Sequence, residues 1–300
     1  MGLKKGGWLM KGILLAGGNG TRLYPLTKAI SKQMLPIYDK PMIFYSLSVL
    51  MLAGIKDILI ISTPADTPRF EQLLGSGEDL GITLTYAIQE KPEGIAQAFI
   101  IAKDFIAGKS VALILGDNIF FGKGLSTMLR QTALKKKGAT VFACNVKNPQ
   151  AFGVIDWNES GKAISIEEKP INPKSSYAVT GLYFYDNKVC QYAEMIQPSF
   201  RRELEITDIN NFYLQSEDLD VELLGDKITW LDTGTHKSLH EASVFIERLE
   251  RSKKQKIACL EEVAYISGFI DRDRLIYLAK SLNNEYGTYL LRIAEERQKE

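Results

Sequence analysis

An α/β fold with a doubly wound, mostly parallel sheet is expected from three features of the sequence. Short apolar runs alternate with helical stretches through the first half of the chain, the rhythm of parallel strands joined by right-handed crossovers. The first run, "KGILLAG", passes straight into the glycine cluster "GGNG", as a buried strand feeding a loop does. Beyond about residue 150 the alternation gives way to hairpin-like strands and then to helices, which predicts a small β-rich part and a helical C-terminal extension.

The elements follow in order. "KGILLAG" reads as strand, and "KPMIFYSLSVLMLAGI", apolar on nearly every face, as a buried helix stopped by glycine. "DILIIST", "TLTYAIQ" and "VALILGDN" read as strands, with "PRFEQLLG" and "GIAQAFIIAKDFI" as the helices between them. "LSTMLRQTALKKKG" reads as a helix with a solvated basic end at residues 135–137 and a Gly138 cap, and "ATVFACNV" as the strand that closes the parallel run. The arrangement is Rossmann-like. "FGVIDWNESGKAISIEEKP" turns at Glu-Ser-Gly as a hairpin does, and "YAVTGLYFYD" reads as strand. "EITDINNFYLQS" reads as a helix with Asp208 near its N-terminus, while "DVELLG" and "ITWLD" read as short strands. Leu239, Ala242, Ile246 and Leu249, then Leu275, Leu278, Ala279 and Leu282, recur at helical spacing. Charges in "RLERSKKQKIA" interrupt those two patterns, so a linker is expected there. The expected division is an N-terminal extension (1–9), an α/β domain (10–250) and a helical extension (251–300).

With a net charge of +1 over 300 residues, no global field draws in a nucleic-acid polymer or an anionic membrane, so any bound anion must be held by local geometry. Cys144, Cys190 and Cys259 lie far apart without a CxxC pair, and reduced core cysteines are expected. No apolar run reaches the ~18 residues of a membrane span, and "MGLKKGGWL" lacks the features of a secretory signal, so a cytoplasmic protein is expected. His236 and His240 stand at i, i+4 but enclose Lys-Ser-Leu and have no third ligand nearby; an ordinary helix pair is expected.

A strand, a glycine loop and a helix start together hold phosphate on backbone N–H groups. Gly17, Gly18 and Gly20 suit that task because a Cβ would block the anion and positive φ is cheap only for glycine. A Walker A loop is absent, since the "GKS" at 108–110 lacks the earlier glycine. The dinucleotide fingerprint fails because Leu23 stands where its third glycine belongs. A phosphate loop of another kind, or a tight turn without a ligand, remains.

Taken whole, "LLAGGNGTRLYPLTKAISKQMLPIYDKPM" resembles the signature of the sugar-1-phosphate nucleotidylyltransferases. The resemblance continues through "QEKPEGIAQA", "LGDN", "FGVI", "EEKP", "AVTGLYFYD", "RRELEITDIN" and "WLDTGTHKSL", and covers residues 11–295. It is nearest to the short bacterial members that transfer a thymidylyl group and carry a helical C-terminal extension. It implies displacement at the α-phosphorus of dTTP by a phosphate oxygen of glucose 1-phosphate, giving dTDP-glucose and pyrophosphate, the first step of dTDP-rhamnose-type deoxysugar biosynthesis. Such a reaction asks little acid–base help, because a sugar phosphate with a second pKa near 6 is already mostly dianionic at pH 7. It requires two polyanions brought in line with their charge neutralised.

By the same resemblance, Arg22 and Lys32 neutralise the triphosphate and the departing pyrophosphate. Asp117 and Asp232 hold Mg²⁺, which takes carboxylates together with phosphate oxygens and waters; Asp117 also ends a strand where α/β sheets place ligand groups. Lys169 grips the sugar phosphate with Arg201, although the family's Arg-Gly-Glu reads Arg201-Arg202-Glu203 here and leaves either arginine open. Gly153, Glu168, Val179 and Trp230 match positions that contact the hexose. Leu15, Gly17, Gly18, Gly20, Thr21 and Gln33 match the nucleotide loop. Gln89, offering both a donor and an acceptor, Gly94 and Ile95 match the base site. A homotetramer inhibited by dTDP-rhamnose is also implied. Transfer of a uridylyl, cytidylyl or adenylyl group stays open, since a methyl contact is worth only ~1–3 kcal/mol. A silent sugar-nucleotide sensor is opposed by the presence of Arg22, Lys32, Asp117 and Asp232, and a dehydrogenase by the missing glycine.

Overall fold

A computed structural model describes residues 10–18 and 20–296, so the expected extension over residues 1–9 lies outside the described residues. Apolar Lys11–Leu15 forms β1, which takes the centre of the sheet between two parallel neighbours. A short hairpin follows, β2 (Pro36–Ile37) and β3 (Lys40–Pro41), then α1 (Met42–Leu52), β4 (Asp57–Ser62), α2 (Thr67–Leu74) and β5 (Thr83–Ile88). Next come α3 (Gln97–Ile101), α4 (Lys103–Ile106), β6 (Val111–Leu115), β7 (Asn118–Gly122), α5 (Leu125–Ala133) and β8 (Ala139–Asn145). The second half holds β9 (Gly153–Trp157), β10 (Ala163–Glu168), β11 (Tyr177–Tyr185), α6 (Val189–Met195), α7 (Ile206–Gln215), β12 (Leu219–Leu223) and β13 (Ile228–Asp232). Helices α8 (His236–Lys253), α9 (Leu260–Ile266), α10 (Arg272–Lys280) and α11 (Glu285–Glu296) complete the chain.

Strands β5, β4, β1 and β6 run parallel in that order, as the alternation predicts. Beyond β6 the sheet departs from the expected parallel run. The long strand β11 inserts between β6 and β8, antiparallel to both, and β9 and β10 extend the sheet from it as an antiparallel hairpin. β11 is apolar and buried along almost its whole length, so it needs cover on both faces and a place inside the sheet. Alternation along the chain carries no information about such an insertion. Odd and even positions of the strands feed separate cores: Leu14, Ile60 and Ile114 on one face, Ile13, Leu59 and Leu113 on the other.

Four local expectations change. The helix after β5 breaks at Ala102 into α3 and α4. "VALILGDN" is two strands, with Gly116 and Asp117 between β6 and β7. Helix α5 stops at Ala133, so Gly138 is not its cap; Gly138 has φ 82° and a Cβ there would come within 2.4 Å of the Asp218 carbonyl oxygen. The basic end at residues 135–137 lies at the surface, with the Lys135 ammonium donating to Asp220 Oδ2 at 2.9 Å. The expected linker is largely helix, because α8 runs unbroken to Lys253 and the chain turns only there. Cys144 and Cys190 are half-buried and Cys259 buried, all three free. Among the described residues no helix is long and apolar enough to cross a membrane.

The turn after α8 is tied to the β2–β3 hairpin by charge. Buried Lys40 pairs with Asp39 and, at 3.0 Å, with Glu250 Oε1, which also accepts the Ile257 N–H at 2.7 Å. Lys256 closes the network on Asp39 at 2.5 Å. Lys40 and Glu250 are 3% and 7% exposed, so removing either breaks a buried charge network and leaves its remaining members under-compensated. Glu250→Ala is expected to lower unfolding stability by about 3 kcal/mol in urea or thermal denaturation. The exposed Lys237→Ala is expected to shift it by less than about 0.5 kcal/mol.

Candidate functional site

The C-terminal ends of β1 and β6 stop level with one another, because the Gly116 N–H donates to the Leu15 carbonyl at 2.9 Å. This sets the glycine loop and the Asp117 turn side by side. Lys32, on a short 3₁₀ turn, extends its ammonium to Asp117 Oδ2, and Asn118 donates to Oδ1 at 3.0 Å. Burial alone would raise the Asp117 carboxyl; the Lys32 charge and hydrogen bond, with that from Asn118, outweigh it and hold the group below its ordinary range. Strand β13 pairs antiparallel with β7 so that Asp232 lies opposite Asn118, bringing a second acid beside the first. Burial and then the neighbouring Asp117 charge push Asp232 up to about 6, against the pull of Lys32 and Arg22. Arg22, otherwise exposed, packs its guanidinium on Gly234, where a Cβ would come within 3.0 Å of Nη2.

The loop itself has Gly18 at φ 98° and Gly20 at φ 57°, with Thr27 Oγ1 donating to the Gly20 carbonyl at 2.8 Å. Gly17 faces a side chain: a Cβ there would stand 2.1 Å from Gln89 Oε1, which would have to move. Gln33, buried behind the loop, accepts from Ser31 Oγ at 2.5 Å. Gly94 has φ 113°, and the space beside it is filled by the Leu204 backbone, 2.3 Å from the position of a Cβ. Thr21 is exposed, and Ile95 is half-buried against one of the sheet's cores.

A second cluster forms where the hairpin meets α7. Gly153 pairs with Glu168 across β9 and β10, and Thr207 Oγ1 donates to Glu168 Oε2 at 2.5 Å. Lys169 follows at φ 45°, a left-handed conformation costing about 1–2 kcal/mol for a side chain that large. Its ammonium lies 3.9 Å from Glu168 Oε1, and its N–H donates to the Phe152 carbonyl at 3.0 Å. The two arginines differ in conformation. Arg202 has φ 61° and is exposed, whereas Arg201 turns inward and pairs through Nη2 with Glu168, Glu203 and Glu205 at 3.3, 3.1 and 2.7 Å.

Two side chains join the clusters. Tyr183, buried on β11, feels the charges of both Glu168 and Asp117, and burial with those charges pushes its hydroxyl well up. Trp230 stacks edge-on with Phe152 at 5.2 Å and donates Nε1–H to Asn118 Oδ1 at 2.6 Å. Asn118 Oδ1 also accepts the Gly181 N–H at 3.0 Å, where β11 bulges beside Val179. Asn118, Tyr183 and Thr207 were not singled out as site residues by sequence reasoning. Asn118 at least follows Asp117 directly in "LGDN"; Tyr183 looks like any core aromatic.

One buried and one half-buried carboxylate that repel each other and offer hard oxygens suit a divalent cation that completes its shell with phosphate oxygens and waters. Among the described residues no group of three or more His, Cys, Asp or Glu could hold a metal. The raised Asp232 carboxyl has a stability consequence. The folded chain binds that proton more tightly than the unfolded one, so its contribution falls as pH rises from about 4 to about 6 and stays unfavourable above. Metal-free Asp232→Asn is therefore expected to be more stable than the parent at pH 8 by about 2 kcal/mol. Chemical denaturation is expected to show the difference vanishing below about pH 4.

The nucleotidyl transferase family model matches residues 11–248. The chain is 54% identical over 288 residues to the glucose-1-phosphate thymidylyltransferase of Neisseria meningitidis serogroup A, covering 96% of this chain and 100% of that one. It is 52% identical to the enzyme of the same name from Mycobacterium tuberculosis H37Rv, covering 95% and 99%. A solved glucose-1-phosphate thymidylyltransferase from Bacillus anthracis, described as putative and in complex with sucrose, superposes with a TM-score of 0.73 at 44% identity, over 79% of this chain and 94% of that one. A UDP-glucose pyrophosphorylase complexed with UDP-glucose shares the fold at 24% identity, with a TM-score of 0.69. The chain belongs to the nucleotidyl transferase family and, within it, to the glucose-1-phosphate thymidylyltransferases.

Proposed function

We propose that the chain transfers the thymidylyl group of dTTP to glucose 1-phosphate with Mg²⁺, giving dTDP-glucose and pyrophosphate for deoxysugar synthesis of the dTDP-rhamnose type. The observation that carries the reading is the meeting, across Tyr183 and Trp230, of two clusters that each hold basic side chains paired with carboxylates. One has the glycine loop, Arg22 and Lys32; the other has Lys169 and Arg201. Enzymes of this family generally work with a divalent metal, and Asp117 and Asp232 would hold it, with the ion neutralising charge on the phosphates.

Lys169 and Arg201 hold the dianionic sugar phosphate so that one oxygen faces the α-phosphorus of dTTP. That oxygen forms the new P–O bond as the bond to pyrophosphate breaks, and Arg22 and Lys32 take up the charge that departs. Lys32, Lys169 and Arg201 are already paired with carboxylates in the free chain, so anions bind by exchanging partners rather than by filling a bare positive pocket. Glu168 accepts sugar hydroxyls, with Val179 and Trp230 as further walls; its seat on Thr207 beside Gly153 supports this reading. Gln89, Gly94 and Ile95 take the base; Leu15, Gly17, Gly18, Gly20, Thr21 and Gln33 take the nucleotide.

The division proposed at residue 250 falls inside α8, which runs to Lys253, and α9 packs into the main core; the support for a helical extension is the small core of Cys259, Leu275, Ala279, Tyr289, Leu290 and Ala294. The family resemblance supports a homotetramer inhibited by dTDP-rhamnose, and light scattering is expected to give four times the 33.6 kDa chain mass. Pyrophosphate release from dTTP and glucose 1-phosphate with Mg²⁺ tests the reaction directly. Arg22→Ala is expected to slow it by ~10²–10³. Turnover in Asp117→Ala equal to the parent's overturns the metal assignment.

A further inference from the structure

Gln89 follows β5 directly, and its side-chain amide is oriented by bonds that start from two groups of fixed polarity. The Glu93 backbone N–H can only donate, and it donates to Gln97 Oε1 at 3.1 Å. The Glu93 carboxylate can only accept, and it accepts from Gln97 Nε2 at 2.8 Å. Together they decide which end of the Gln97 amide is oxygen. That oxygen faces Gln89 at 2.6 Å, where only the Gln89 NH₂ can meet it. Gln89 Oε1 is thereby turned across Gly17, toward the glycine loop.

We propose that Gln97 and Glu93 are positioning residues that lock the Gln89 amide with its oxygen toward the nucleotide. The site then accepts a pyrimidine whose N3 carries hydrogen and rejects one whose N3 is bare. Sequence alone left Gln89 free to donate or to accept; the chain from Glu93 makes it an acceptor at the base. Thymine and uracil present N3–H and satisfy it. Cytosine presents a lone pair to a lone pair, and turning the Gln89 amide to suit it sets Gln89 Oε1 against Gln97 Oε1. Discrimination between thymine and uracil lies outside this device. The inference rests on the reading of Gln89 as the residue that meets the base.

The test is kcat/KM for dTTP, dUTP and dCTP, one sugar throughout, in the parent, Gln97→Met, the double variant Glu93→Gln with Gln97→Glu, and Gln89→Met. In Gln97→Met the dTTP:dCTP ratio is expected to fall about tenfold, the equivalent of one hydrogen bond. The dTTP:dUTP ratio is expected to hold, since both bases share the N3–H edge. Gln97→Glu alone sets a second carboxylate against Glu93, so it is combined with Glu93→Gln, which restores a donor there; the double variant keeps an acceptor facing the Gln89 NH₂ and is expected to preserve the dTTP:dCTP ratio. A Gln97→Met variant that loses activity equally on all three nucleotides, or keeps the parent ratio, overturns the proposal. An unchanged ratio in Gln89→Met overturns it as well while leaving thymidylyl transfer standing. Only a parent enzyme that releases no pyrophosphate from dTTP and glucose 1-phosphate removes the underlying reaction.

Discussion

Two carboxylates, Asp117 and Asp232, are forced together by strand pairing at a depth where neither is well hydrated. The register of β13 on β7 sets Asp232 beside the Asp117–Asn118 turn, and Thr233 ties the same turn by donating Oγ1–H to the Asp117 carbonyl at 2.8 Å. The backbone thus leaves the two acids no route apart. Lys32 compensates one of them, and burial, then the Asp117 charge, raise the carboxyl of the second. On the proposed reading, a site in that state would be completed by a ligand that brings cation and phosphate together.

The second cluster solves the converse problem. Arg201 is gripped by three carboxylates and Lys169 sits beside one of them, so neither cation is left bare in the free protein. Positive φ at Lys169 and Arg202 points one basic side chain toward Glu168 and leaves the other exposed, a backbone cost the surrounding hairpin and α7 sustain. Charge compensation inside each cluster explains how a chain of net charge +1 can serve two polyanions without a strongly positive surface.

Much of this was legible in the sequence, and the reason differs by element. β1, the glycine loop and the parallel core are written in local patterns of apolar runs and glycines, which depend on near neighbours only. The insertion of β11 between β6 and β8 is not local: it is decided by which surfaces need cover once the chain has collapsed. Asn118 illustrates the same limit within the site, because its role comes from meeting Gly181 and Trp230, residues far along the chain. Gly138 read as a helix cap since glycine commonly stands there, but the Asp218 backbone is what excludes a side chain. Gln97 stands four residues after Glu93, a spacing with helical precedent, yet nothing in the sequence links either to Gln89.

The central claim is that repulsion between Asp117 and Asp232 creates the cation site. Mn²⁺ affinity of the substrate-free protein, followed from pH 5 to pH 8 by the paramagnetic resonance signal of the free ion, tests it most directly. Affinity that climbs through about pH 6 and then levels, with the climb abolished in Asp232→Asn, is the predicted result. Affinity independent of pH, or unchanged in that variant, would contradict it.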